Sequence, residues 1–287
     1  MKVNKRQGSD LLPIQLASIP AIIMVVLTAT VILYSALTLS ATNAKLSNQP
    51  AEFVGVNNFL AATEDQQFIE SLLSQALVTT LSVSIEISLG LLLSYAIYKS
   101  TKRVQSFAIV MLVIPLSISQ IVIGSIWVFL FNHAFGLVSY VLNSLSIRTI
   151  DLMNDPSAAL LLVVLADVWQ WTPLVIIIML AGMRTLQRNI WDAAEIDGAS
   201  DIAVIRRIVV PALRPFIIIA IVLRILESLK IFELLIPFQG TVSLPNFYIF
   251  TQSFHYGELG YASALGLLLF ILSSSILIVF LRIRGER

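Results

Sequence analysis

Six apolar stretches, each long enough to cross a lipid bilayer as a helix, constrain this chain more than anything else in it. They cover residues 11–40, 72–98, 104–131, 158–183, 215–237 and 261–281. About 20 helical residues span a hydrocarbon core of about 30 Å, and every run reaches that length. A closed barrel would need many alternating strands of about ten residues, which continuous apolar runs do not supply. Charged residues make up 12% of the chain, where soluble domains carry about a quarter. The expected fold is therefore an all-α integral membrane protein with six transmembrane helices.

The basic residues orient those helices, because cytoplasmic loops retain Lys and Arg. Lys2, Lys5 and Arg6 lie in the N-terminal tail, and Lys99, Lys102 and Arg103 lie between the second and third runs. Arg184, Arg188, Arg206, Arg207 and Arg214 lie between the fourth and fifth, and Arg282, Arg284 and Arg287 close the chain. The alternate side has only Lys45 and Arg148. Both termini are expected in the cytoplasm, with residues 1–10 a tail and 11–287 a single six-helix domain. The first run is too long for a cleaved signal peptide.

The chain offers little for enzyme chemistry. It has no cysteine, and its two histidines, His133 and His255, fall in or beside outer loops. No His-Glu-x-x-His and no phosphate-binding Gly-x-x-x-x-Gly-Lys-Ser/Thr occurs. The outer loops, 41–71 and 132–157, read as solvated, the first acidic through Glu52, Glu64, Asp65 and Glu70.

The inner connection, 184–214, is too long and too helix-prone for a simple turn. A helix over 185–197 can end at Gly198, whose missing side chain suits a left-handed cap. Ser200 or Asp201 can cap a second short helix running to Val210. Pro211 and Pro215 fit the opening of the fifth span. Ala193 and Ala194 would let another protein approach the backbone closely, and Asp192, Glu195, Asp197 and Asp201 beside Arg206 and Arg207 would supply a polar rim. Spacing alone leaves two readings open, a docking site or an amphipathic hairpin resting on the membrane surface.

Ionisable residues inside a span are functional candidates. The fifth run holds Arg224, Glu227, Lys230 and Glu233 at intervals of three, so opposite charges can pair along the helix. Each falls about 60° behind the last, so the four cannot line one narrow pore. Glu86 in the second run, among Ser82, Ser84 and Ser88, reads as an interhelical hydrogen-bond partner. Asp167, Trp169, Gln170 and Trp171 form a polar and aromatic cluster in the fourth, where Trp169 reads as an interfacial anchor.

At residues 192–211 the sequence resembles the permease subunits of ATP-binding-cassette importers. That family has Glu-Ala-Ala, three residues, Gly, nine residues, Ile, one residue and Leu-Pro in its last large cytoplasmic loop. Here Asp192-Ala193-Ala194 precedes Gly198, and Ile208, Val209, Val210 and Pro211 follow at the same spacing. Asp192 stands for Glu and Val210 for Leu. The Asp197-Gly198-Ala199 run is similar to the carbohydrate branch, and the resemblance extends over most of the chain from the second run onward. It weakens at Phe238-Gln239-Gly240-Thr241.

The resemblance implies a type I importer fold whose coupling-helix loop docks on a separate ATPase through Asp192, Ala193, Ala194, Asp197, Gly198 and Pro211. It implies a second permease subunit in a heterodimeric pore, two copies of the ATPase, an extracytoplasmic solute-binding protein, and residence in a bacterial cytoplasmic membrane. ATP and magnesium would be bound by the ATPase, and no cofactor, metal or nucleic acid by this chain. By analogy with maltose-type permeases, a sugar or related polyhydroxy solute would meet Gln170, Trp171, Leu174, Arg224, Glu227, Ser228 and Ile231. The alternatives are an ion-gradient-driven transporter, for which no internal repeat is evident, and import of a solute such as a glycerol phosphodiester.

Overall fold

A computed structural model describes residues 12–47, 50–145, 155–187, 190–191 and 198–285. Its helices are α1 (Leu12–Ser40), α2 (Asn57–Glu64), α3 (Gln66–Lys99), α4 (Lys102–Ser117), α5 (Gln120–Leu130), α6 (Leu137–Ser144), α7 (Pro156–Arg184), α8 (Asp201–Ala212), α9 (Arg214–Ser228), α10 (Pro245–Phe250) and α11 (Leu259–Gly285). Four are long and apolar enough to cross a membrane, and two bent pairs, α4 with α5 and α8 with α9, bring the number to as many as six. The contacts divide the chain into two compact units, 1–65 with 249–271 and 66–248 with 272–287.

In the first unit, α1 is sheathed in exposed Ile, Val, Leu and Met, as a lipid-facing helix requires. Its hydroxyls are satisfied internally: Thr28, Thr30 and Ser35 each donate to the carbonyl four residues back, at 2.7–2.9 Å. The segment after α1, expected as a solvated loop, is built. Asn58 donates to the Ser40 and Thr42 carbonyls, both at 2.8 Å, and an isolated antiparallel bridge pairs Thr42 with Phe53. Lys45 pairs with Glu258 at 2.6 Å, and Tyr261 donates to Asp65 at 2.5 Å.

The second unit is organised around α7. Within the apolar stretch of α7, 61% of residues are buried, against 28% for α3. Asp155 caps it, accepting from the Ser157 and Ala158 amides, and Pro156 occupies the first turn, where no donor is lost. Glycines set the helix spacing: a Cβ on Gly90 of α3 would lie 2.4 Å from Val175 Cγ1, and one on Gly182 of α7 would lie 2.7 Å from Leu213 and Phe216. One apolar core gathers Val78, Ile123, Leu162, Val163, Ile231, Leu234 and Phe238; a second gathers Tyr95, Val175, Met179, Met183, Val209, Leu213 and Ala220.

Two expected spans differ in shape. The run over 104–131 is broken, with α4 and α5 meeting at 95°. Pro115 lies in the last turn of α4, and the chain turns extended at Ile118 and Ser119. The run over 215–237 is helical only to Ser228; residues 233–238 form a tight 3₁₀ segment, and Gln239 is left-handed at φ 52°. Apolarity reports lipid or core as the surroundings, and neither requires a continuous helix where protein covers the backbone.

That 3₁₀ segment packs on α5 at Gly124, where an added Cβ would lie 2.4 Å from the Leu234 carbonyl oxygen. A backbone oxygen cannot swing aside. Gly124→Ala is expected to lose about 1–3 kcal/mol of stability, the usual range for overpacking. A thermal midpoint in detergent equal to the parent's would show that the contact yields.

Candidate functional site

Between the two apolar cores lies a belt of polar residues. Along α7, buried residues from Ala159 to Val168 lie in the first core and from Val175 to Met183 in the second, with Asp167, Gln170 and Thr172 buried at the junction. Ser82 and Glu86 occupy the corresponding part of α3, and Arg224 and Ser228 that of α9. All are fully or nearly fully enclosed.

Arg224 is the centre of the belt. Its Nε donates to Glu86 Oε2 at 2.5 Å, and its Nη2 to Glu86 Oε1 and Asp167 Oδ2, both at 2.8 Å. The guanidinium therefore grips Glu86 with two parallel bonds and reaches Asp167 with a third, a geometry that only a planar fork provides. Its carbon lies 4.8 Å from the centroid of the Trp171 ring, within cation–π range. Arg224 Nη1, Asp167 Oδ1, Ser82 Oγ, Gln170 Oε1 and Gln75 Oε1 are buried without a protein partner.

Neighbouring bonds extend the belt. Gln75 donates to Thr79 Oγ1 at 3.0 Å and to the Ser228 carbonyl at 3.1 Å, and the Thr79 and Ser228 hydroxyls lie 2.8 Å apart. Gln170 donates to the Ile118 carbonyl at 3.2 Å, covering a backbone group freed by the α4–α5 break.

The structure brings together some of the residues singled out from sequence and separates others. Gln170, Arg224, Ser228 and Ile231 are buried in the interior of the unit, whereas Trp171, Leu174 and Glu227 are partly exposed. The i,i+3 pairing expected along the fifth span occurs between Glu227 and Lys230, at 2.7 Å. Arg224 does not pair with Glu227, because two buried carboxylates on α3 and α7 compete for it. Glu233 is exposed at the start of the 3₁₀ segment. The Arg224–Glu86 contact spans 138 residues and no local rule reveals it. Charge balance offered the signal: two carboxylates in apolar runs require a cation, and only Arg224 and Lys230 lie within a span.

The other candidate region is the loop after α7. Asp192, Ala193, Ala194 and Asp197, with Glu195, lie outside the described residues. Gly198 has φ +62°, the left-handed conformation expected of it, and Ser200 accepts from the Ala203 amide as the cap of α8. Instead of ending as an α-helix at Val210, α8 passes through a π-helical turn over Ile205–Val209 and contains Pro211, then bends by 75° into α9 at Leu213. Pro215 has no amide proton to carry a helix through that point. The Trp191 ring lies tilted against that of Tyr98 at 4.9 Å, and Asp201 accepts from Lys99 at 2.6 Å and Tyr95 at 2.8 Å.

Comparisons with known proteins agree on one assignment. The family described as binding-protein-dependent transport system inner membrane component matches residues 86–284. The chain is 29% identical to a trehalose/maltose transport system permease protein of Thermococcus litoralis, over 80% of this chain and 79% of that one. It is 30% identical to a sulfoquinovosyl glycerol transport system permease protein of Agrobacterium fabrum, over 83% and 78%. A crystal structure of a bacterial transporter that imports the acidic polysaccharide alginate shares the fold, with a TM-score of 0.80 at 19% identity over 96% of this chain and 95% of that one. The chain belongs to the binding-protein-dependent transport system inner membrane components, the multi-pass permease subunits of ATP-binding-cassette importers.

Proposed function

We propose that this permease moves a neutral sugar or related polyhydroxy solute across the cytoplasmic membrane, with its termini and the loop over 184–214 on the cytoplasmic side. The observation that carries the solute class is the charge state of the belt. Arg224 is bound by Glu86 and Asp167, and Lys230 by Glu227, so both cations of the fifth span are already neutralised. An anionic solute such as a glycerol phosphodiester would find no free cation there. A polyol needs only hydrogen-bonding groups and an apolar face.

Trp171 offers that face. Arg224 lies over one side of its ring, and Trp171 remains partly exposed, as do Leu174 and Glu227. Trp171, Leu174 and Glu227 would meet the solute, the indole stacking on sugar C–H groups and the carboxylate accepting from hydroxyls. Gln170, Arg224, Ser228 and Ile231 would support them from the interior. The name of one relative, specifying trehalose/maltose, fits a neutral glycosidic solute, while the sulfoquinovosyl glycerol of the other, a sulfonated glycoside, supports the glycosidic class alone.

The rest of the machine would be a second permease completing a heterodimeric pore, an external binding protein, and two ATPase copies holding ATP and magnesium. The ATPase would seat on Asp192, Ala193, Ala194, Asp197, Gly198 and Pro211. Uptake of labelled trehalose and maltose into proteoliposomes containing the full complex tests this reading. Uptake is expected with internal ATP and external binding protein, and none with an ion gradient alone. Trp171→Ala is expected to weaken it about tenfold, the scale of one aromatic contact. Gradient-driven uptake, or uptake of a glycerol phosphodiester with neither sugar, would refute it.

A further inference from the structure

The bend at Leu213 poses a mechanical problem. If the ATPase acts on the loop before α8, its displacement must reach α9, yet α8 and α9 meet at 75° with no continuous helix between them. A hinge there would absorb the motion. We propose that α3 is the strut that bypasses the bend, bonded to α8 and α9 at three levels, so that α3, α8 and α9 move as one body. This inference rests on the coupling role proposed for the loop.

The three levels are distinct in chemistry. At the first, Asp201 of α8 accepts from Lys99 Nζ and Tyr95 Oη. At the second, Arg224 of α9 is forked onto Glu86. At the third, Ser228, the last residue of α9, is bonded to Thr79 and Gln75. From Gln75 to Lys99, α3 runs as one uninterrupted helix, roughly 36 Å at 1.5 Å per residue, more than the hydrocarbon thickness. With no proline to kink it, α3 is one continuous hydrogen-bonded rod, so whatever is fixed to both of its ends is fixed together.

The central level carries the most. The Lys99–Asp201 pair is exposed, with side-chain exposures of 54% and 63%, and exposed pairs contribute little. The third level is made of neutral hydrogen bonds. Only the Arg224 fork is both charged and fully enclosed, and there a fixed geometry is worth most. Asp167 ties the same guanidinium to α7, and Gly182 allows α7 to abut Leu213 and Phe216 at the bend itself.

The absence of cysteine makes the strut directly measurable, since spin labels attach only where cysteine is introduced. Exposed Leu92 of α3 and Leu223 of α9 are suitable sites. In the complete transporter, the Leu92→Cys/Leu223→Cys distance is expected to be narrow and unchanged on adding ATP and magnesium. Arg224→Lys retains the charge but not the fork, and is expected at least to double the width of the distribution. Thr79→Val is expected to broaden it in the same direction but less, and it decides the matter if Arg224→Lys does not insert. An ATP-driven change between α3 and α9 in the unmodified transporter, or variants as narrow as the parent, would overturn the strut. Copurification of the ATPase with the unmodified permease scores the coupling reading separately, because the width is read within the permease itself.

Discussion

Arg224→Met is expected to leave little folded protein in the membrane, with a stability loss of about 3–5 kcal/mol, the usual result of removing one partner from a buried ion cluster. Glu86 and Asp167 are 0% and 1% exposed, and without the guanidinium both would be left facing each other in a medium that solvates neither. That is a large fraction of a total stability of about 5–15 kcal/mol. The opposite deletions behave differently. With all three groups ionised the cluster carries one excess negative charge, so Glu86→Gln leaves a neutral Arg224–Asp167 pair and keeps a hydrogen-bonding side chain beside the fork. It is expected to fold. The triple variant Glu86→Met, Asp167→Leu, Arg224→Met removes every buried charge and is expected to regain stability, because apolar groups of similar volume often replace a buried ionic cluster without loss. Thermal midpoints of the four purified proteins measure this, and an Arg224→Met midpoint equal to the parent's would show that the cluster is dispensable.

The contrast between Arg224 and Lys230 shows where sequence reasoning reaches and where it stops. Glu227 and Lys230 are three residues apart across the turn that ends α9, and they pair as local spacing allows. Arg224 and Glu227 have the same spacing and do not pair, because burial changes the competition: a guanidinium enclosed by α3 and α7 binds the carboxylates enclosed with it. The apolar runs were legible for a related reason. The run over 158–183 matches the observed Pro156–Arg184, since α7 is apolar along most of its length, its few polar residues are buried among partners, and it has a cap at its start. Residues 229–237 also belong to an expected span, yet Ile231, Leu234 and Leu235 are buried as a turn and a 3₁₀ segment against α5. Hydropathy identifies the surroundings, while backbone shape there is decided by a neighbour, and Gly124 is the place where that neighbour comes close enough to decide it.

Gly198→Val is expected to abolish ATP-driven uptake while leaving the permease inserted and the ATPase unable to copurify with it. The effect acts through the backbone alone. Gly198 has φ +62°, and nothing lies within 4 Å of where its Cβ would be, so a side chain there meets no obstacle. The difficulty is that a β-branched residue in the left-handed region costs about 1–2 kcal/mol, and an exposed connection has no packing to hold it there. The chain relaxes to a right-handed conformation instead. Trp191 is held on one side by Tyr98 and Asp201 on the other by Lys99 and Tyr95, so a changed backbone direction at Gly198 must be accommodated between two fixed points. The backbone leading into the Ser200 cap would be redirected, and with it the surface proposed to seat the ATPase. Asn tolerates the left-handed region through its short polar side chain, so Gly198→Asn is expected to retain most uptake. Loss in both variants would point to crowding at the surface by any side chain, and full activity in the valine variant would show that this elbow transmits nothing.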